Sequence, residues 1–395
     1  MKAVILLCAL LGVSIGDDVS PLKTFQQGNG QFSGKFLNEA VRANEGKNVI
    51  VSAYSVLFPL AQLSLATVGD CRSEILTTIG LPTDESVTKN AVKAAATSLE
   101  DIKGVELKTA SKIYFYEKGE LNPQMAKDSK DYFKSDIEKV DFSKSKAAAS
   151  NINQWVESKT NNRIKDLVNP DSLDSNTRVV LVNAIYFKGL WEEPFLKSAT
   201  KDKDFHVTKA KTQKVPMMYS RSDYLYGESS KLDAKLLQLP YKGKETSLLV
   251  ILPNEIDGVN DLVKKLEDPK VLDEAVESMH FNKVIVNLPK FKIETTTDLK
   301  NVLQKMGIKK IFGSGAEITK LLKGNEPLQV DSAIQKAFIE VNEEGTEAAA
   351  ANAFFVGFAA SAQIPRPPKE FFANHPFIFM VRANNDILFN GLIRE

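Results

Sequence analysis

The chain is predicted to fold as a single α+β domain, with helices early and strands late. Three observations predict it. Apolar residues recur at helical spacing through most segments before residue 160, whereas runs rich in β-branched residues take over after residue 177. Of the 395 residues, 43% are hydrophobic and 26% charged, an ordinary globular balance that can bury a large core. No internal repeat, low-complexity linker or composition break divides the chain.

The elements follow in order. Residues 31–43 set Phe32, Phe36, Leu37, Ala40 and Val41 on one helical face, and Asn44-Glu45-Gly46 stops that helix. Residues 48–52 form a short strand, and 54–68, apolar almost all round, a buried central helix. Helices at 71–79 and 88–101 follow, the first stopped by Gly80-Leu81-Pro82. A strand at 105–116, a helix opened by Asn122-Pro123, a short strand at 137–142 and an amphipathic helix at 145–160 come next. Residues 177–187 (TRVVLVNAIYF) make a strand buried on both faces. From 205 to 253 strands alternate with turns, most clearly 236–241 and 247–252. Residues 259–278 are helical with a break at Asp268-Pro269. Residues 283–293 form a strand that Pro289 forces to be bulged or at an edge, and 299–306 a helix ending at Gly307. Strands at 328–342, 377–382 and 387–392 close the chain.

Charge excludes some functions. Lys+Arg is 51 and Asp+Glu 50, a balance unlike that of a dedicated nucleic-acid or membrane-surface protein. Met1-Lys2, the apolar run 3–13, small Ser14-Ile15-Gly16 and then Asp17-Asp18 read as a secretory signal peptide cut after Gly16, which leaves residues 17–395 as an extracellular domain. The run is well short of the roughly 20 residues of a membrane span. Cys8 goes with the signal and Cys71 stays alone, so no internal disulfide is expected, and Cys71 reads as a small buried hydrophobe. No N-x-S/T sequon occurs.

Catalytic signatures are missing. His206, His280 and His375 each sit beside a strand segment and read as structural. There is no G-x-S-x-G elbow, Walker loop, H-E-x-x-H or C-x-x-C, and no plausible metal-ligand cluster. Gly28-Asn29-Gly30 lies outside any strand-to-helix crossover. The chain is expected not to be an enzyme and to need no metal or cofactor.

One stretch stands apart: Glu343-Glu344-Gly345-Thr346-Glu347-Ala348-Ala349-Ala350-Ala351-Asn352-Ala353. Read locally, Thr346 caps a helix of alanines. Its surroundings suggest another reading. Six motifs together resemble the serpins, and the match covers essentially the whole chain after the signal. They are Asn48-Val49-Ile50-Val51-Ser52 with Ser55; Val182-Asn183-Ala184-Ile185-Tyr186-Phe187-Lys188-Gly189-Leu190-Trp191 before Pro194-Phe195; Leu288-Pro289-Lys290-Phe291; Asn342 to Glu347; His375-Pro376-Phe377-Ile378-Phe379; and Leu388-Phe389-Asn390-Gly391. The hinge and loop resemble those of insect members.

The resemblance implies the serpin fold, with three β-sheets, about nine helices and an exposed reactive-centre loop at about 343–368. It implies suicide inhibition, in which a serine protease attacks the loop and forms a covalent acyl-enzyme. The cleaved loop then enters the large sheet as a new strand, dragging the protease with it. Small hinge residues suit that step: Thr346, Ala348, Ala350 and Asn352 would alternate to the buried face, Asn352 being the one polar burial among them. Absence of proline leaves every N–H for the ladder. Carried over residue by residue, Ser52, Ser55 and Asn183 match the shutter, where Gln335 replaces a common histidine and removes its pH sensitivity. Trp191 matches the breach, with Lys290 and Glu343 close by.

Family spacing sets the residue before the scissile bond fourteen after Gly345, giving Ala359–Ala360, with Phe358–Ala359 as the alternative and Ala360 or Ala362 if the register shifts. An elastase-like pocket accepts Ala359 and a chymotrypsin-like one prefers Phe358. The expected partner is a target serine protease, met by a monomer. A non-inhibitory carrier, or an inhibitor of papain-like cysteine proteases, is the alternative. A heparin-type site is not indicated, because Lys89, Lys93 and Lys103 are spread among acids.

Overall fold

The computed structural model describes residues 19–346 and 367–395, apart from 101, 134 and 325. The expected signal peptide, the hinge residues Glu347 to Ala351 and the expected reactive bond at Ala359–Ala360, with its alternative at Phe358, lie outside the described residues.

Nine α-helices occur among the described residues. Helix α1 (Pro21–Ala43) starts ten residues earlier than the apolar spacing predicts. Pro21 fits the first turn, and the Ser20 hydroxyl accepts from the Lys23 N–H. Two of its glycines are contact surfaces. A Cβ on Gly28 would lie 2.8 Å from the Ile79 carbonyl, and one on Gly34 2.0 Å from that of Leu266. Helices α2 (Ala53–Ala66), α3 (Gly69–Ile79), α4 (Glu85–Ser98), α5 (Pro123–Asp128) and α6 (Ser145–Lys159) follow. Asp268 caps α8 (Pro269–Glu277) and so separates it from α7 (Val259–Lys265), while α9 (Leu299–Met306) ends at left-handed Gly307.

The first strands are β1 (Val49–Val51), β2 (Val105–Tyr116), β3 (Ile137–Val140) and β4 (Val179–Leu190). Next come β5 (Lys201–Thr208), β6 (Lys211–Ser229), β7 (Ala234–Pro240), β8 (Thr246–Pro253) and β9 (His280–Pro289). The rest are β10 (Phe291–Asp298), β11 (Val330–Asn342), β12 (Gly345–Thr346), β13 (Lys369–Phe372), β14 (Phe377–Ala383) and β15 (Asp386–Ile393). One six-stranded sheet runs β10-β11-β12-β4-β2-β3, with β11 and β4 also paired directly, in parallel. The other ladder is β1-β15-β14-β8-β7-β6-β9-β13, with β5 beside β6. The 19-residue β6 joins two groups in it: its Leu225–Ser229 end pairs with β7, and its earlier part with β5 and β9. One continuous ladder thus contains the two smaller of the three expected sheets.

Pro289 does not bulge a strand. It ends β9, and after Lys290 the chain enters the six-stranded sheet as β10, so residues 283–293 belong to two strands in different sheets. The main core lies between the sheets and α1 and α2, around Phe32, Phe36, Phe187, Phe379 and Phe389. A smaller one, with Tyr114, Ile152, Val156 and Tyr186, lies under α6 on the other face of the six-stranded sheet. Cys71 is fully buried, and burial raises its thiol pKa.

Candidate functional site

Strands β4 and β11 are paired over Val179–Tyr186 and Val330–Phe338. Beyond that they part, and β12 sits between them, antiparallel to both. Gly345 faces Leu190 and Asn342; Thr346 faces Gly189 and Val341. Thr346 is therefore a buried strand residue rather than a helix cap. Gly345 has φ +148°, and a Cβ there would lie 2.1 Å from the Gly189 carbonyl oxygen, so only glycine fits.

The turn that feeds β12 is held from several directions. The Trp191 indole N–H donates to the Asn342 carbonyl (2.9 Å), and its backbone N–H to that of Glu344 (3.0 Å). The Phe195 N–H donates to the Glu343 carbonyl at 2.8 Å. The buried Glu343 carboxylate receives Lys290 Nζ at 2.9 Å and the Thr200 hydroxyl at 2.8 Å. Burial works against ionisation here, but hydrogen bonds from Lys290, its own backbone and Thr200 outweigh it and hold the carboxyl below its ordinary range. Glu344 pairs with Lys197 at 2.6 Å.

Tyr241 completes the roof of the gap. Its ring stacks on Trp191 (centroids 4.6 Å apart, 10° between planes) and meets Phe187 edge-on at 5.1 Å. Its hydroxyl lies 2.5 Å from Thr346 Oγ1, with both residues fully buried. A Cβ on Gly189 would come 2.8 Å from this ring, so Gly189 keeps the space open. Tyr241, Thr200 and Lys197 escaped the sequence reading. The β-bridge that sets Tyr241 against Trp191 joins residues far apart in the chain and leaves no local signal.

The four expected shutter residues meet midway down the same strands. Gln335 and Asn183 face each other in register. Gln335 Nε2 lies 2.8 Å from Asn183 Oδ1, 2.8 Å from the Ser52 carbonyl and 3.1 Å from Ser55 Oγ. Gln335 Oε1 accepts the Ser52 N–H at 3.1 Å. The Ser55 hydroxyl donates to Asn183 Oδ1 (2.7 Å), Asn183 Nδ2 to the Ser55 carbonyl (2.9 Å), and the Ser52 hydroxyl to the Leu388 carbonyl (2.6 Å). All four are buried, and the amide of Gln335 both donates and accepts.

Two residues outside this region have structural partners. Lys89 binds Glu85 (2.6 Å) and Asp128 (2.9 Å). His375 Nε2–H donates to the Pro253 carbonyl at 2.8 Å, and burial lowers its pKa.

Two parallel strands thus part at one end, with an antiparallel strand started between them. Comparison with known proteins identifies the family. A model of the serpin (serine protease inhibitor) family matches residues 27–395. Antichymotrypsin-2 of Bombyx mori is 52% identical over 367 residues, 93% of this chain and 97% of that one. Antitrypsin of Bombyx mori is 49% identical over 392 residues, 99% of each chain. Serpin48, a highly specific serpin of the insect Tenebrio molitor, superposes with a TM-score of 0.84 at 34% identity, over 94% of this chain and 98% of its own. The chain belongs to the serpin family.

Proposed function

We propose that this chain is a secreted inhibitor that traps chymotrypsin- or elastase-like serine proteases by loop insertion. The observation that carries the reading is Thr346, already paired on both sides between β4 and β11. The protease serine oxygen adds to the carbonyl carbon of Ala359. The Ala359–Ala360 amide then breaks, Ala360 leaves as a protonated amine, and an ester to Ala359 remains. The freed hinge zips on from Thr346 and carries the ester-linked protease along the sheet before water can cleave the ester.

The zip has a defined register. Extending β12 sets residue 348 between Phe187 and Ile339, residue 350 between Ile185 and Ala337, and residue 352 between Asn183 and Gln335, by continuation of the observed pairs. Phe187, Ile339 and Ile185 are already fully buried, so alanines at 348 and 350 pass where larger side chains would collide. Relatives named antichymotrypsin and antitrypsin support protease inhibition; the Phe358-Ala359-Ala360 sequence favours an apolar or small primary pocket.

The test is incubation with chymotrypsin and with elastase. An SDS-stable complex is expected, with release of peptide 360–395, whose mass fixes the bond. Cleaved chain without complex from either protease refutes the reading.

A further inference from the structure

Phe281 is the most exposed large hydrophobic residue among those described, at 75%. It belongs to the outward face shared by β6, β9 and β13. The register sets Leu225 opposite Phe281, Arg221 opposite Ile285, and Tyr219 at the far end of the same face. Alternate residues Val284, Val286, Tyr224 and Phe371 point inward and are buried, which fixes the sidedness. Glu370 and Phe372 extend this face onto β13. Asp223 stands opposite Lys283 on this face and offsets its charge, whereas Arg221 faces the uncharged Ile285 and, among the described residues, makes no ion pair. Aromatic residues and arginine around a partly apolar centre are the composition of a protein-binding patch, whereas solitary exposed apolar residues are ordinary.

Position says what the patch would meet. Strand β13 is where the chain returns from the loop, and Lys369 lies only nine residues after Ala360. That tether spans at most about 30 Å. Strands β13 and β9 run parallel, so Phe281 lies before Val284, the partner of Lys369, on the side from which the loop arrives.

We propose that this face is an exosite for the target protease. It holds an apolar side chain beside the protease's cleft against Phe281 and Leu225, with an acidic group near Arg221. The proposal rests on the inhibitory reading. The contact lengthens the encounter so that acylation outruns dissociation, and it plays no part in insertion.

The experiment uses the full chain with chymotrypsin and elastase, and compares wild type with Phe281→Ala and with Phe281→Ala/Arg221→Ser. These positions are exposed, and unchanged thermal midpoints would certify the fold. With the protease that wild type traps faster, the second-order inhibition rate should fall about tenfold in the double variant, as loss of an interface anchor does. Stoichiometry should stay at the wild-type value. An unchanged rate in variants, while wild type still forms its SDS-stable complex, overturns the exosite alone. A slower rate with raised stoichiometry also overturns it, because the defect then lies in insertion. If wild type forms no complex with either protease, the inhibitory reading itself fails.

Discussion

Asn352 is the residue whose replacement tests the proposed register most directly. Continuing the β12 pairs brings it opposite Asn183 on one side and Gln335 on the other, with its side chain on the core face occupied by Ser55. Insertion must separate Asn183 from Gln335 and break their 2.8 Å hydrogen bond. An arriving carboxamide can accept from Gln335 and donate to Asn183, replacing the bond that was lost. Leucine at 352 offers neither group. Gln335 keeps bonds to Ser52 and Ser55, and Asn183 Oδ1 keeps the Ser55 hydroxyl, so what leucine forfeits is the hydrogen bonding that Asn352 would supply. A buried hydrogen bond contributes about 0.5–1.5 kcal/mol, so Asn352→Leu should destabilise the loop-inserted form by about 1 kcal/mol. Wild type and variant are cleaved in the loop and unfolded in guanidinium. The cleaved variant should have the lower midpoint, while the two uncleaved proteins should agree. Equal midpoints for the cleaved proteins, or a shift confined to the uncleaved ones, would refute the register.

Thr346→Arg places an unpaired guanidinium where Thr346 is fully buried, at a cost of several kcal/mol; about 4 kcal/mol slows insertion by about a thousandfold. The variant should be cleaved as a substrate with a sharply raised stoichiometry of inhibition, whereas Thr346→Ser, which keeps the hydroxyl for Tyr241, should stay within about twofold of wild type. Gln335→Leu leaves the Ser52 N–H without its partner and takes one of the bonds to Asn183, and should lower the stability of the uncleaved protein by about 2 kcal/mol in urea unfolding. Two carboxylates should tilt the pH dependence of stability in opposite directions. Burial raises Asp386 from 3.8 to about 6, against the opposing bonds from Asn29 and Gln26 and the charge of Arg382, so the native state holds its proton longer than the unfolded chain. Its contribution therefore falls by about 3 kcal/mol as pH rises from about 4 to 6, and Asp386→Asn should remove that fall in unfolding midpoints. Glu343 has a lowered pKa, so its contribution is present above the unfolded value of 4.5 and is lost as pH falls through the folded one; Glu343→Gln should remove that acid sensitivity.

The sequence disclosed elements where period and stop signals coincide. Residues 105–116 and 299–306 match β2 and α9 to the residue, because each is bounded by glycine or by a clear change of pattern. It misled where one residue type serves two purposes. The apolar spacing shows α1 only from residue 31, because before it Gly28 presents a bare backbone to the Ile79 carbonyl in place of an apolar side chain. Pro289 looks like a fault within one strand, yet it ends a strand before the chain changes sheets. Four-residue β13 has too short a pattern to register and exists because β9 offers it an edge. At the site, Trp191, Lys290, Glu343, Ser52, Ser55, Asn183 and Gln335 were legible through motifs. Their partners were not: Tyr241 and Thr346 are 105 positions apart, and only the folded sheet makes them neighbours.

The alanine run makes the same point about context. Local propensity favours a helix at Thr346 and beyond, because alanine is the best helix former and threonine can cap. The sheet imposes a different demand at each step. Beneath Tyr241 there is room only for the backbones of Gly345 and Gly189 and the small Thr346 side chain, which finds the tyrosine hydroxyl. On the proposed register, methyl groups would fit beside Phe187 and Ile185, and Asn352 would bring a carboxamide between Asn183 and Gln335. A loop selected for helicity alone would have no reason to vary from glycine to threonine to alanine to asparagine in that order. Initiation is the slow part of any cooperative pairing, and two residue pairs on each side of β12 have already met that cost. On the proposed mechanism, cleavage then has only to release the far end of the loop for the strand to propagate, and a fast insertion would let the trap close before the acyl-enzyme hydrolyses.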